Sequence, residues 1–430
     1  HIRIGPCGQH VAEFAGDLYF CGTGIEGTTG YGTQFDFTRH WQGMLKADQS
    51  GLGIMVPVAA EIKKAVSIPV GAVTYMDPAR DPEFFESLIA SGELDFILMN
   101  RPLSVDYDYL HKLEEGRIDE IRPCTRCMHC HWDAADDGNL TFSCRTNAAH
   151  PFRFVTGQLT GSYDPEPAAT AKNVVVVGAG PAGLEAARVA AERGHSVTLY
   201  EKKGSVGGLL EFANNVKGPH ENLSVLRSYF ERQMEVLGVN VMLNTEATAD
   251  IIAEASPDIV IAATGGVRDT LGLSDTAGTK VVGIDDFMMA DIAEEVVIVG
   301  SNVQAIDAAM YLLAQGKHVQ VVTPNAASAI GAGHSFWVKT FTQPNMKALG
   351  VRFWPEATVT AVNDGSVTVK TATGIEQEIA CGTVVEALDC LPNDNLSTGL
   401  SCEVVTVGDA ARPFNIGEAI CSGNAAARAI

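Results

Sequence analysis

The feature that most restricts the fold of this chain is the apolar run Val174-Val175-Val176-Val177, which ends in Gly178-Ala179-Gly180-Pro181-Ala182-Gly183 and opens a helical run from Leu184 to Arg193. Short strands with no polar face belong in parallel sheets covered on both sides. A strand that turns through glycines into a helix is the start of a nucleotide-binding unit. Gly178 allows the tight turn, Gly180 lets the backbone approach a pyrophosphate at the helix N-terminus, and Gly183 lets helix and strand pack closely. The next strand, Val197-Thr198-Leu199-Tyr200, ends at Glu201, where an acid for a ribose hydroxyl is expected, and Gly208 of a later glycine pair joins the set. A glycine pattern alone is weak. With strand, helix and acid in order, a site for FAD or ADP outweighs a chance loop.

The design recurs about 120 residues later in Glu295-Val296-Val297-Ile298-Val299-Gly300. Here Asn302 stands where the second glycine should admit a pyrophosphate. The following strand, Val319 to Thr323, ends with neither an acid for a ribose nor an arginine cluster for a 2′-phosphate. The second unit therefore reads as a retained fold with an impaired NAD(P) site. Ala263-Thr264-Gly265-Gly266 ends one apolar strand and Val405-Thr406-Val407-Gly408-Asp409 ends another. Together they imply that the first nucleotide domain is interrupted by the second and resumes after it, bringing Asp409 to a ribitol or ribose.

Upstream, residues 56–101 alternate helix and apolar strand twice, the pattern of a parallel sheet, open or closed into a barrel. Asn100-Arg101-Pro102 follows the second strand, at the end where such folds place phosphate binders; by itself, a surface arginine is the simpler account. A chain of 430 residues exceeds one core. The expected division is 1–118, 119–165, 166–270 with 385–430, and 271–384.

Of ten cysteines, four fall within 21 residues: Cys124, Cys127, Cys130 and Cys144. Three thiolates on one tight loop with a fourth returning later suit a 4Fe-4S cluster; zinc is the rival, although zinc ribbons usually present two separated pairs. His129 and His131 sit among them as spectators, since the set is complete without them. Thirty basic against 52 acidic residues give a formal charge of −22, which would repel nucleic acid. No apolar run is long enough for a membrane span, and residues 1–5 do not resemble a secretory signal, so a cytoplasmic location is expected.

Across residues 56–430 the order of motifs resembles the family of trimethylamine dehydrogenase and 2,4-dienoyl-CoA reductase. The resemblance rests on Ile68-Pro69-Val70, Asn100-Arg101-Pro102-Leu103, and Glu115-Gly116-Arg117 through Ile121-Arg122-Pro123-Cys124. It implies an α/β architecture comprising the C-terminal part of a (β/α)8 barrel, an iron-sulfur segment and two nested Rossmann-like nucleotide-binding domains. It also implies that Arg101 in the Asn100-Arg101 pair binds an FMN phosphate with backbone near Gly71 helping, and that Arg3 faces the flavin ring. Only about 120 residues precede the cluster, so the barrel's N-terminal half is missing from this chain or supplied by another in an oligomer. The two-residue spacing of Cys127 and Cys130, with Trp132 close by, is similar to the amine dehydrogenase branch. The implied activity is oxidation of a small methylated amine, passing electrons from FMN through 4Fe-4S to an electron-transferring flavoprotein. The alternatives are an NAD(P)H-dependent enoyl, dienoyl or enone reductase and an electron-transfer subunit of a multi-chain enzyme.

Overall fold

The computed structural model describes residues 52–430, apart from 54–55, 73–75, 128, 131–132, 135–139, 142–143, 151–160, 219–220, 222, 335–338, 340–342, 345, 394 and 397–399. Arg3, His131 and Trp132 lie outside the described residues.

The first described segment runs α1 (Val56–Ala65), β1 (Gly71–Ala72), α2 (Pro82–Ala90) and β2 (Phe96–Ile97), then the short helices α3 (Arg101–Val105) and α4 (Tyr109–Glu114). Asp81 starts α2 by accepting a hydrogen bond from the Phe84 amide at 3.0 Å, with proline at the first helical position. β1 and β2 pair in parallel. Met76, Phe85, Leu88 and Leu94 form the small core beneath them. The sequence pattern makes Phe96 to Met99 a buried strand, yet Phe96 and Leu98 are 45% and 46% exposed. Among the described residues β2 has only β1 beside it in its sheet.

A two-stranded hairpin, β3 (Asp133–Ala134) and β4 (Leu140–Thr141), lies in the cysteine segment. The first nucleotide unit then follows as β5 (Asn173–Val177), α5 (Pro181–Glu192), β6 (Ser196–Tyr200), α6 (Leu210–Lys217), α7 (Leu223–Val236), β7 (Asn240–Met242), α8 (Ala249–Glu254) and β8 (Ile259–Ala262). After β9 (Val267–Arg268), the second unit contributes β10 (Lys280–Gly283), β11 (Glu295–Val299), α9 (Val303–Ala314), β12 (His318–Val322) and β13 (Arg352–Trp354). An antiparallel sheet of β14 (Ala357–Asn363), β15 (Ser366–Thr371) and β16 (Glu376–Ala380) precedes β17 (Thr383–Glu386). The chain closes with β18 (Cys390–Leu391), β19 (Glu403–Thr406) and α10 (Ile416–Ala429).

Two five-stranded parallel sheets result, ordered β19-β8-β5-β6-β7 and β10-β17-β11-β12-β13. The nesting is explicit: β19, the last strand in the chain, pairs with β8 in the first sheet. β9 and β18, leading out of and back to the first unit, pair antiparallel. Helix α10 lies tightly on α5. A Cβ at Gly423 would come 2.1 Å from the Ala182 carbonyl oxygen, so only glycine admits this approach. No helix among the described residues is long and apolar enough to cross a membrane.

A buried carboxylate locks three distant segments together. Glu185 on α5 is bracketed by Arg188, with two contacts at 2.9 Å, by Arg122 of the cysteine segment at 3.3 Å and by Asn424 of α10 at 2.8 Å. Arg122 also donates to the Thr146 carbonyl at 2.5 Å, and its guanidinium stands 5.1 Å from the Tyr229 ring centre. Burial alone would push the Glu185 carboxyl up, but Arg122 and Arg188 outweigh it and hold the pKa down at about 2, against an ordinary 4.5. The stabilisation is complete above pH 4.5 and is lost as pH falls towards about 2. Replacing Glu185 by Ala, which strands two buried guanidinium groups, is expected to cost about 3–5 kcal/mol. Urea unfolding checks both points: the gap in midpoint between wild type and Glu185→Gln should narrow over that acid interval.

Candidate functional site: a dinucleotide turn beside a cysteine segment

The strand-turn-helix at 173–192 builds a cradle from backbone. Gly178 has φ +100°, and a Cβ there would lie 2.3 Å from the Ala263 carbonyl oxygen. At Gly183 a Cβ would lie 1.9 Å from the Gly178 carbonyl oxygen, since helix and turn are in direct contact. Gly180 is the opposite case. It caps α5 in extended backbone, and a Cβ there meets nothing within 4 Å, so space stands in front of the helix N-terminus. Gly208 closes the side of that space: its own Cβ would be 3.1 Å from the Gly180 Cα, and the Gly207 amide donates to the Ala179 carbonyl at 2.8 Å.

Glu201 reaches this turn from the end of β6. Its carboxylate accepts from the Ala179 amide and the Lys203 amide, both at 2.8 Å. Asp409 arrives from the far end of the chain, in a short turn that packs on α5 through Gly408, whose Cβ would fall 2.7 Å from the Ala182 Cβ. It accepts from the Phe414 amide at 3.3 Å, and burial pushes its carboxyl up despite the nearby Arg268. Gly178, Gly180, Gly183, Glu201, Gly208 and Asp409 are thus gathered around one helix N-terminus.

The second turn is built differently. Asn302 caps α9 by accepting from the Ala305 amide at 2.9 Å. Its side-chain amide donates to the carbonyls of Ala387 and Leu388, at 3.2 and 3.1 Å, and to Asp389 at 3.0 Å. The side chain therefore ties the start of α9 to the segment that follows β17. Beyond β12, Thr323 and Asn325 hydrogen-bond to the Ser301 hydroxyl at 3.0 and 3.1 Å, so hydroxyl and amide groups stand in place of a ribose-binding acid.

In the cysteine segment, Cys124 and Cys144 are buried together against Val105. Burial pushes the Cys124 thiol up to about 11 and raises Cys130 and Cys144 as well. At Cys127 burial acts the same way, but Arg145 and His129 outweigh it and leave the thiol below its ordinary value. Cys130 lies within electrostatic range of the other three thiols. Among the described residues, however, no three His, Cys, Asp or Glu side chains converge tightly enough to hold a metal ion.

Arg101 lies near this quartet, and its positive charge acts on Cys124 and Cys130. Asn100 precedes it as the first residue of that turn, its carbonyl accepting from the Ser104 amide at 2.9 Å. Gly71 is set back from them. It pairs with Phe96, four residues before Asn100 and therefore roughly 13 Å along the strand direction. The Phe96 ring covers it, at 2.4 Å from where a Cβ would stand.

Sequence reasoning missed a second set of buried charges behind Cys144: Arg145, Glu221, Lys217, Asp307 and His334. A signal existed in Asp307, one acid inside the otherwise apolar run Ala305-Ile306-Asp307-Ala308-Ala309-Met310. A lone charge on a buried helix needs a partner.

Two parallel sheets, a glycine cradle and an acid at the end of the second strand define two nucleotide-binding units of the kind that flavin-dependent oxidoreductases use. Residues 172–409 match the family model described as "Pyridine nucleotide-disulphide oxidoreductase", and the chain belongs to that family. A curated relative is the NADH oxidase of Thermoanaerobacter brockii, 36% identical over 65% of this chain and 42% of that protein. The probable N-methylproline demethylase of Rhizobium meliloti is 35% identical over 63% of this chain and 39% of that protein. Among solved structures, a 2-naphthoyl-CoA reductase in complex with 2-naphthoyl-CoA superimposes with a TM-score of 0.76 at 30% identity, covering 88% of this chain and 57% of that one. The chain thus spans about two to three fifths of the length of these relatives. Reductases and demethylases both occur, as the resemblance implied.

The cradle separates two kinds of glycine. Gly183→Ala should overpack the turn, costing about 1–3 kcal/mol and lowering the thermal midpoint. Gly180→Ala should keep the wild-type midpoint in the ligand-free state yet lose bound nucleotide. Melting curves paired with flavin and ADP content after gel filtration check this.

Proposed function

We propose that this chain is the electron-handling part of an iron-sulfur flavoprotein that oxidises a small methylated amine. The observation that carries the direction of electron flow is the Asn302 side chain, which caps α9 and bonds across to Ala387, Leu388 and Asp389 in the space a nicotinamide dinucleotide would need. A unit closed in this way favours electrons entering from substrate. The similarity to an N-methylproline demethylase supports the same direction.

The residues present fit both kinds of cofactor. Four cysteines, two of them buried, provide an all-sulfur donor set for 4Fe-4S, with Arg101 and Arg145 nearby to offset thiolate charge. Bound flavin supplies two-electron oxidation and a cysteine-held cluster supplies one-electron transfer. The protein's share is placement. The close backbone approaches at Gly178, Gly183 and Gly208 support a pyrophosphate of FAD or ADP at the N-terminus of α5, where Glu201 and Asp409 would take its sugar or ribitol hydroxyls. Arg101 is the phosphate ligand for FMN in the completed barrel, with Asn100 setting the turn. An electron-transferring flavoprotein is the proposed acceptor, in an oligomer located in the cytoplasm.

A second assignment, reduction of an unsaturated acyl or enone substrate by NAD(P)H, draws on the likeness to the 2-naphthoyl-CoA reductase and the NADH oxidase. Anaerobic mixing of the purified intact protein separates the two. Bleaching of the flavin by di- or trimethylated amines with no response to NADH or NADPH is expected; the reverse outcome replaces the first proposal by the second. Cys130→Ser should lose most of its iron and acid-labile sulfide while keeping flavin or ADP at the α5 turn, as metal and cofactor analysis of both proteins would reveal. A wild-type protein containing zinc and no iron would sink the cluster assignment.

A further inference from the structure

Behind the cysteine segment, five buried side chains form one continuous run into the second nucleotide unit. Arg145, next in sequence to Cys144, pairs with Glu221 and also donates to the Thr125 hydroxyl at 3.1 Å. Glu221 lies 3.3 Å from the Lys217 Nζ, at the end of α6. Lys217 bonds at 2.9 Å to Asp307 of α9, and the same Asp307 oxygen lies 2.9 Å from Nε2 of His334. Each of the five side chains is 8% exposed or less. The run therefore crosses three parts of the fold with its side chains almost wholly out of water, opening towards the surface at the His334 end, where Ala332 is exposed and Gly333 half-buried.

Its charges decide what it can do. Two cations, Arg145 and Lys217, face two carboxylates, Glu221 and Asp307, so the run is neutral while the imidazole is neutral. Burial holds His334 below its ordinary value against the pull of Asp307 and Glu221, with Lys217 adding to the effect of burial. A carboxylate can only accept, so Nε2–H of His334 donates to Asp307 and Nδ1 is left as the ring atom for a second proton. Lys339, near Gly331 on that side of the ring, is directed to the Ser328 carbonyl at 2.5 Å. A purely mechanical strut would not need an imidazole: Lys217 already joins the two units through Glu221 and Asp307.

We infer that His334 is the proton partner of the cysteine-held redox centre, linked to it electrostatically through Asp307, Lys217, Glu221 and Arg145. The inference rests on the iron-sulfur assignment above. A cluster held by the cysteines would carry one added negative charge when reduced; uptake of one solvent proton at Nδ1 of His334 would leave the net charge of the region unchanged, and reoxidation would release it. In a buried environment the added negative charge is weakly screened, so its effect reaches along the run. The second unit, with its own dinucleotide turn closed by Asn302, then serves the redox centre by supplying Asp307 and His334. His334 acts here as a positioning group for charge and touches neither substrate nor flavin.

The test is a potentiometric titration of the purified holoprotein, followed by the paramagnetic signal of the reduced cluster, from about pH 4.5 to about 8, because burial sets the lower titration point of His334 beneath the ordinary imidazole value. In wild type the equilibrium constant for reduction should fall by up to tenfold per pH unit, about 59 mV for one electron, between the two titration points of the imidazole. His334→Gln, which keeps a donor for Asp307, should show a potential that no longer varies over that interval. A pH-independent potential in wild type overturns the inference without recourse to any variant. The same slope in both proteins overturns it too. Absence of iron from wild type would instead remove the cluster assignment itself, whereas iron present with a flat potential removes only the role of His334.

Discussion

The structure depends on one buried carboxylate more than on any other group. Glu185 sits inside the helix that follows the glycine cradle, and it is the acceptor on which Arg122, Arg188 and Asn424 converge. These partners come from the cysteine segment, the same helix and the C-terminal helix. A single charge inside a protein is costly to desolvate, and pairing it with two guanidinium groups and an amide turns that cost into a geometric demand. The cysteine segment must dock where Arg122 reaches Glu185, and α10 must lie where Asn424 does. The dinucleotide turn and the cysteine segment therefore have a fixed relation.

The second buried run has the same logic on a larger scale. Lys217, at the end of α6, reaches Glu221 near the cysteine segment and Asp307 in the second nucleotide unit. Both networks use charges drawn from segments far apart in the chain, which is why nested units with few covalent connections hold a definite arrangement. The antiparallel pairing of β9 with β18 adds a backbone clasp where the chain leaves the first unit and returns to it. Between these restraints, Asn302 fills the front of its own helix, so the second unit keeps its sheet while its turn is satisfied internally.

Much of this was legible in the residues. Val174 to Val177, the three glycines and Glu201 stand in an order that few folds other than a nucleotide-binding unit produce, and the repeat at 295–300 exposes the second unit. Asn302 in the place of a glycine already pointed to a second turn built differently from the first. Less legible was the exposure of Phe96 and Leu98: an apolar strand pattern describes what a strand wants to bury, and the covering layer must come from elsewhere. The setting back of Gly71 from Asn100 was also hidden, because register between strands is a property of the pair.

Local sequence, then, determined the strand-turn-helix units, the place of the glycines, the cysteine quartet and the caps, since each depends on neighbours within a few residues. It also determined family membership, because motif order survives where pairing partners are unknown. Tertiary structure alone decided that Glu185 would gather Arg122 and Asn424, that Arg145 would face Cys127 from behind, and that His334 would meet Asp307 above Lys217. The reason is physical. A buried charge acquires its partner, its protonation state and its function from groups brought close only after the chain has folded, and sequence separation carries almost no information about which groups those will be.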